Sequence, residues 1–262
     1  MTWWQGMVLG IVQGLTEFLP VSSSGHLVLA QAAVGFSAPG VLVEVVLHVA
    51  TLLAVVIVYR ETLVRLLAGT VRRDSESLKY VGLLIVGTVP AGVVGLFLKD
   101  FFERAFDSLI VVGVSFLLTG AILWSTKKAA GRGADKAPTP RGALAVGLAQ
   151  ACAILPGISR SGSTVAAGMW LGLDPVRAAE YSFLLAIPAI AGAAVLQIPD
   201  LSAEAVQVGV PALALGFVAA LVSGVAAIKL LVLLLRRSAF HRFAPYCWML
   251  GLATLGWAWF GG

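Results

Sequence analysis

Gln13-Gly-Leu-Thr-Glu17-Phe-Leu-Pro20-Val-Ser22-Ser23-Ser24-Gly25-His26 and Gln150-Ala-Cys-Ala-Ile-Leu-Pro156-Gly-Ile-Ser159-Arg160-Ser161-Gly162-Ser163-Thr164 are two versions of one string. At an offset of 137 positions, Gly10, Gln13, Ser22, Ser24 and Gly25 fall on Gly147, Gln150, Ser159, Ser161 and Gly162 without a gap. Proline interrupts a helix, and serine followed by glycine restarts one. Each string therefore reads as an apolar helix, a break and a second short helix. Both lie in sequence too apolar for water.

The chain of 262 residues is 59% hydrophobic and only 12% charged, with a mean hydropathy of +0.96. A water-soluble domain carries about twice that share of charge. Runs such as Val41–Tyr59, Val81–Leu98 and Val208–Leu235 approach or exceed the roughly 20 residues that cross a bilayer. The composition excludes a soluble protein and predicts a polytopic, all-α membrane protein. The net charge of +5 points to cytoplasmic loops rather than to nucleic acid. No cleavable signal peptide is expected, because the N-terminus lacks a basic leader. Cys152 and Cys247 both sit in apolar sequence and read as isolated buried thiols.

Basic residues cluster at Arg60–Lys79, Lys127–Arg141 and Lys229–Arg242, whereas Lys99–Asp107 and Pro199–Gln207 lean acidic. The first three are expected in the cytoplasm and the last two outside. Six spans follow, at about 41–59, 80–98, 108–126, 180–198, 208–235 and 244–260. The Gly- and Pro-rich stretch Ala129–Gly142 reads as a flexible linker. The two strings occupy 3–36 and 143–172. Since His26–Phe36 gives only about 16 Å of helix, each string is expected to be a re-entrant pair. Three spans separate the pairs, an odd number, so they enter from opposite faces. The chain becomes one membrane domain of two inverted halves, about 1–126 and 143–262, joined by a cytoplasmic linker at about 127–142.

Backbone broken at membrane depth is tolerated only where protein or a wet cavity covers it. Ser22, Ser23, Ser24 and Gly25 open one half-helix, and Ser159, Arg160, Ser161 and Gly162 the other. Two helix N-termini with free amides and hydroxyls make a phosphate site. Small residues also serve close helix packing, but two matching strings and an intramembrane arginine favour the anion. A guanidinium in lipid persists only with a partner anion, here a phosphate or Glu17. Gln13 and Glu17, at i and i+4, share a helix face and offer two hard oxygens to Mg2+ or Ca2+. Glu17 also reads as a base. His26 reads as a nucleophile, a general acid for the leaving group, or the partner that activates Ser23. Glu44, His48 and Glu180 are expected to support the site from outside it.

At these residues the chain resembles the undecaprenyl-pyrophosphate phosphatase family, the bacitracin-resistance membrane phosphatases. The resemblance runs over essentially the whole chain. Besides both strings it rests on Gly87-Thr-Val-Pro90-Ala-Gly92 and Glu180-Tyr-Ser-Phe-Leu-Leu-Ala-Ile-Pro188. It implies an enzyme that removes the terminal phosphate from a C55 polyprenyl pyrophosphate. That reaction regenerates the lipid carrier for peptidoglycan synthesis and confers bacitracin resistance. It also implies a divalent cation, the bacterial cytoplasmic membrane, and an active site open to its outer side. The resemblance maps the acidic motif to Gln13 and Glu17, the serine motif to Ser23 and His26, and the arginine motif to Ser159, Arg160 and Thr164. Many relatives carry Glu where this chain has Gln13, so one ligand charge is missing. The expected partners are the lipid substrate and membrane lipid, not nucleic acid, and the choice between monomer and homodimer stays open. An inverted-repeat transporter or flippase for an anion or phosphorylated lipid is the alternative. It needs the phosphate nest and Arg160 but no poised Glu, Ser and His.

Overall fold

Leucine-, valine- and alanine-rich runs bounded by proline, serine or charge can satisfy their backbone in lipid only as helices. The computed structural model, which describes residues 1–33, 42–129, 133–134, 137–197 and 209–260, is helical almost throughout and has no strand among them. The helices are α1 Trp3–Phe18, α2 Ser23–Ala33, α3 Leu42–Val58, α4 Arg60–Val71, α5 Ser75–Phe97 and α6 Lys99–Phe106. They continue as α7 Leu109–Ser125, α8 Pro140–Cys152, α9 Arg160–Trp170, α10 Pro175–Gln197, α11 Val210–Arg236 and α12 Ala244–Phe260.

Each of the six expected spans coincides with one helix, yet fewer are long enough to cross unaided. Among the described residues, α5, α7, α10 and α11 have the length and hydropathy of a span, with a fifth if α3 and α4 count as one bent by 78°. The basic segment that begins at Arg60 folds as α4, a surface helix with no buried residue. At its far end, Asp74 caps α5 by accepting from the Ser77 amide at 2.9 Å, and that bond holds its carboxyl below the usual value. The acidic loop Pro199–Gln207 lies outside the described residues.

The stretch expected as a linker carries local structure at both ends and at Ala134. Thr126–Lys128 is a 3-10 turn, and Thr139 with Pro140 starts α8 through a bond to the Gly142 amide of 3.1 Å. Between them, Ala134 exchanges two backbone bonds of 2.9 Å with Gly172 and Asp174. Residues 130–132 and 135–136 lie outside the description. The two cysteines are unpaired, but only Cys247 is buried, while Cys152 at the end of α8 is exposed.

Glycine carries the helix packing. Gly6, Gly10 and Gly14 form a stripe on α1, where an added Cβ would run into the Ala212, Gly216 and Ala220 carbonyls of α11. Backbones this close gain dispersion contacts that lipid cannot supply. The second string repeats the device, since a Cβ at Gly147 of α8 would strike the Gly87 carbonyl of α5. Thus α1 packs on α11, and α8 on α5. Each string leans on a long helix from the other half of the chain. Gly147→Val is therefore expected to push α8 off α5 and cost about 1–3 kcal/mol. A thermal-unfolding series in detergent with an unchanged midpoint would refute the close approach.

Candidate active site

Proline 20 ends α1, because the residue before a proline is driven from the helical region. Leu19 accordingly adopts φ −63° and ψ 143°. Ser22 then takes φ 68°, a left-handed conformation unusual for a residue with a side chain. Its hydroxyl is held by the Gly157 amide at 3.1 Å, a bond from the break of the other string. The two breaks are built alike. Ser22 and Ser24 bring their hydroxyls within 3.2 Å, and Ser159 and Ser161 do the same. The Gly25 amide donates to the Ser22 hydroxyl at 3.4 Å, and the Gly162 amide to the Ser159 hydroxyl at 3.0 Å. Thr119 of α7 clamps the second break, donating to the Gly157 carbonyl at 2.8 Å and accepting from the Ser159 amide at 3.1 Å.

The heads of α2 and α9 therefore meet. Among the described residues the amides of Ser23, Ser24, Arg160 and Ser161 have no hydrogen-bond partner. Across this junction Arg160 Nη2 donates to Glu17 Oε1 at 2.6 Å, with 16% and 5% of the two side chains exposed. Arg160 Nη1 reaches the Ser182 carbonyl at 3.3 Å. The Ser23 hydroxyl donates to Glu17 Oε2 at 2.5 Å, and Gln13 Nε2 donates to the same oxygen at 3.1 Å. Glu17 thus sits between a cation and a hydroxyl proton, with all three groups at the end of a helix dipole.

The other expected residues fall around this core. His26 lies one turn along α2 and does not meet Ser23, whose proton points to Glu17. The ring Nδ1 donates to the Ser22 carbonyl at 2.7 Å. Thr164 stands behind Arg160, donating to its carbonyl at 2.7 Å, with the Ser182 hydroxyl 2.6 Å away. Ser161 reaches the Leu19 carbonyl at 3.2 Å. Glu180 is remote, bound to Arg177 at 3.0 Å and to the Thr62 hydroxyl at 3.4 Å.

Two neighbours complete the site, of which the sequence offered His48 as a supporting residue and Tyr246 not at all. His48 of α3 brings Nε2 within 3.6 Å of Glu17 Oε2, while its Nδ1 donates to the Glu44 carbonyl at 2.7 Å. Its spacing from Glu44 was visible, but the approach of α3 to α1 was not. Tyr246 of α12 touches His26 and carried no signal at all, being one aromatic in an apolar helix.

Gln13 and Glu17 carry the oxygens that a hard divalent ion would take. Gln13 is fully buried, and its Oε1 has no partner. An orphaned amide oxygen beside a carboxylate is a donor pair suited to a hard divalent ion. Among the described residues no cluster of three His, Cys, Asp or Glu side chains exists, so the protein alone offers a partial shell, as Mg2+ sites commonly do.

Fold and site together define an all-helical membrane protein with a buried Arg–Glu–Ser centre between two half-helix heads. The family model described as bacitracin resistance protein BacA matches residues 6–253. An undecaprenyl-diphosphatase of Desulfosudis oleivorans is 45% identical over 96% of this chain and 97% of its own length. Those of Desulfatibacillum aliphaticivorans and Syntrophotalea carbinolica are 40% and 41% identical, over 97% and 96% of this chain and 98% and 97% of their own. The chain belongs to the BacA family.

Proposed function

We propose that this protein is an undecaprenyl-diphosphatase that cleaves undecaprenyl pyrophosphate to undecaprenyl phosphate and inorganic phosphate. One observation carries the reading: the Ser23 hydroxyl is bonded to Glu17, itself paired with Arg160, where two helix heads present unbonded amides. These are the groups that phosphoryl transfer requires, a nucleophile, its base and a cationic clamp.

The prenyl tail remains in lipid while the pyrophosphate enters between α2 and α9. Phosphate oxygens take the fork of Arg160 and the amides of Ser23, Ser24, Arg160 and Ser161. As Arg160 turns to phosphate, Glu17 becomes the stronger base for the Ser23 proton. The Ser23 oxygen bonds to the terminal phosphorus, the bridging P–O bond breaks, and undecaprenyl phosphate leaves. Water then displaces the serine oxygen from phosphorus, releasing inorganic phosphate, and the serine regains its proton from Glu17. Gln13 and Glu17 would hold Mg2+ or Ca2+, which when bound neutralises charge on the phosphoryl oxygens.

The two halves, about 1–126 and 143–262, are read as inverted repeats with six spans and two re-entrant pairs. The matched serine caps and the reciprocal packing of α1 on α11 and α8 on α5 support that reading. The basic loops are placed in the cytoplasm by their charge, and the family resemblance implies a site that opens to the outer side of the bacterial cytoplasmic membrane. The reaction there recycles the carrier for peptidoglycan synthesis and underlies bacitracin resistance.

Purified protein in detergent with a prenyl pyrophosphate and Mg2+ or Ca2+ is expected to release phosphate, a result that needs no second compartment. Absence of release would sink the hydrolase in favour of transport. Ser23→Ala is expected to lower the rate by about a hundredfold, since a water oriented by Glu17 retains part of the chemistry. An unchanged rate would remove Ser23 as the attacking group.

A further inference from the structure

His26 has two ring nitrogens, and the structure decides what each can do. Nδ1 lies 2.7 Å from the Ser22 carbonyl. A carbonyl only accepts, so Nδ1 carries the proton. In the neutral ring Nε2 is then an acceptor, the one ring nitrogen of His26 free of the backbone. That position is covered. The Tyr246 hydroxyl stands 2.7 Å from Nε2, and its donor role follows from the acceptor role of the nitrogen. The two rings are parallel within 9° at a centroid distance of 5.7 Å, and the Phe116 ring stands at 89° to the imidazole at 5.4 Å. The histidine is thus clamped between α7 and α12 in one orientation and one tautomer.

The Tyr246 hydroxyl can donate to a phosphoryl oxygen, which the unprotonated Nε2 cannot. It is also half-exposed at 42%, unlike the buried hydroxyls of Ser159, Ser161 and Thr164, so it can turn without disturbing the core. We propose that Tyr246 is a further substrate-binding residue: its hydroxyl seals His26 Nε2 in the resting enzyme and transfers its hydrogen bond to a phosphoryl oxygen when the pyrophosphate arrives. Nε2 is thereby released at the moment substrate is present, and the donor that guarded it binds the developing charge. This rests on the phosphatase reading given above. It adds a residue from the last helix, outside both strings, and couples α12 to the site.

Tyr246→Phe tests it, because the variant keeps the ring and its stacking and removes only the hydroxyl. Hydrolysis of a prenyl pyrophosphate is expected to fall about tenfold in kcat/KM, the effect of one lost hydrogen bond to a charged group. The second readout is the 15N spectrum of histidine-labelled protein in detergent. The three histidines are few enough for His26 to be assigned by its loss in His26→Gln. In the unsubstituted protein His26 is expected to show a protonated Nδ1 and a hydrogen-bonded, unprotonated Nε2. In Tyr246→Phe that Nε2 signal moves to the position of an unbonded imine nitrogen. A tyrosine that only holds the imidazole would move this signal and leave the rate in place; an unchanged rate or an unchanged signal overturns the proposal. So does a bare Nδ1 in the unsubstituted protein. Failure of the phosphatase reading is separate, since it appears as absent phosphate release before any substitution is made.

Discussion

Arg160→Ala is expected to lower phosphate release by about 10³–10⁵-fold, the contribution of an arginine that stabilises a transferring phosphoryl group. The expectation rests on position. Arg160 opens α9, its side chain is only 16% exposed, and it lies at a junction of two helix heads where anionic charge is favoured. Its resting partner is Glu17, at 2.6 Å. Removing the arginine also leaves a buried carboxylate without its cation. For a pair this enclosed, loss of one member destabilises by about 3 kcal/mol, softened here by the Ser23 and Gln13 donors that remain on Glu17. Thermal unfolding in detergent and a phosphate-release assay measure the two effects. A variant that keeps its rate would show that Arg160 is a structural counterion alone.

Glu17→Gln is the second large effect, a loss of roughly 10²–10⁴-fold, as expected when a general base is replaced. The amide preserves shape and can still accept from Ser23, but it cannot take the serine proton. It also leaves Arg160 without its counterion and withdraws the charged half of the proposed cation site. Weakened Mg2+ or Ca2+ dependence of the residual rate is therefore expected alongside the lower rate. The double variant Arg160→Ala with Glu17→Gln should be no less stable than either single one, because neither charge is then stranded. Additive destabilisation would show that the two side chains are not energetically coupled. The same logic explains why Glu17 tolerates burial: four groups, Arg160, Ser23, Gln13 and His48, surround its two oxygens.

The helical class, both chain breaks and the residues that make them were legible in the sequence, since each depends on local chemistry. Pro20 and the serine–glycine pairs act on the backbone next to them, and an apolar run must be helical in lipid wherever it lies. Glu17 and Arg160 were legible as candidate site residues for a related reason, because a charge in an apolar segment demands a partner. The partner's identity was open. The two residues are 143 positions apart, and only the approach of the end of α1 to the head of α9 makes them a pair. Tertiary structure also gave the Ser23 proton to Glu17 rather than to His26, a choice of side-chain direction that spacing along one helix does not express.

His48 and Tyr246 enter the site through the packing of α3 and α12, and nothing local distinguishes a site tyrosine from a lipid-facing one. The linker shows the converse. Its glycines and prolines predict freedom, yet Ala134 is pinned by backbone bonds to Gly172 and Asp174, partners that composition does not reveal. By itself, then, the sequence determined where the helices break and which charges the membrane must shelter, because those follow from each residue and its neighbours. Which charge meets which, and which nitrogen and hydroxyl remain free to act, was decided by the tertiary structure. Arg160 and Glu17 are 143 positions apart and Tyr246 and His26 are 220, and such contacts exist only once glycine-lined helices have closed on one another.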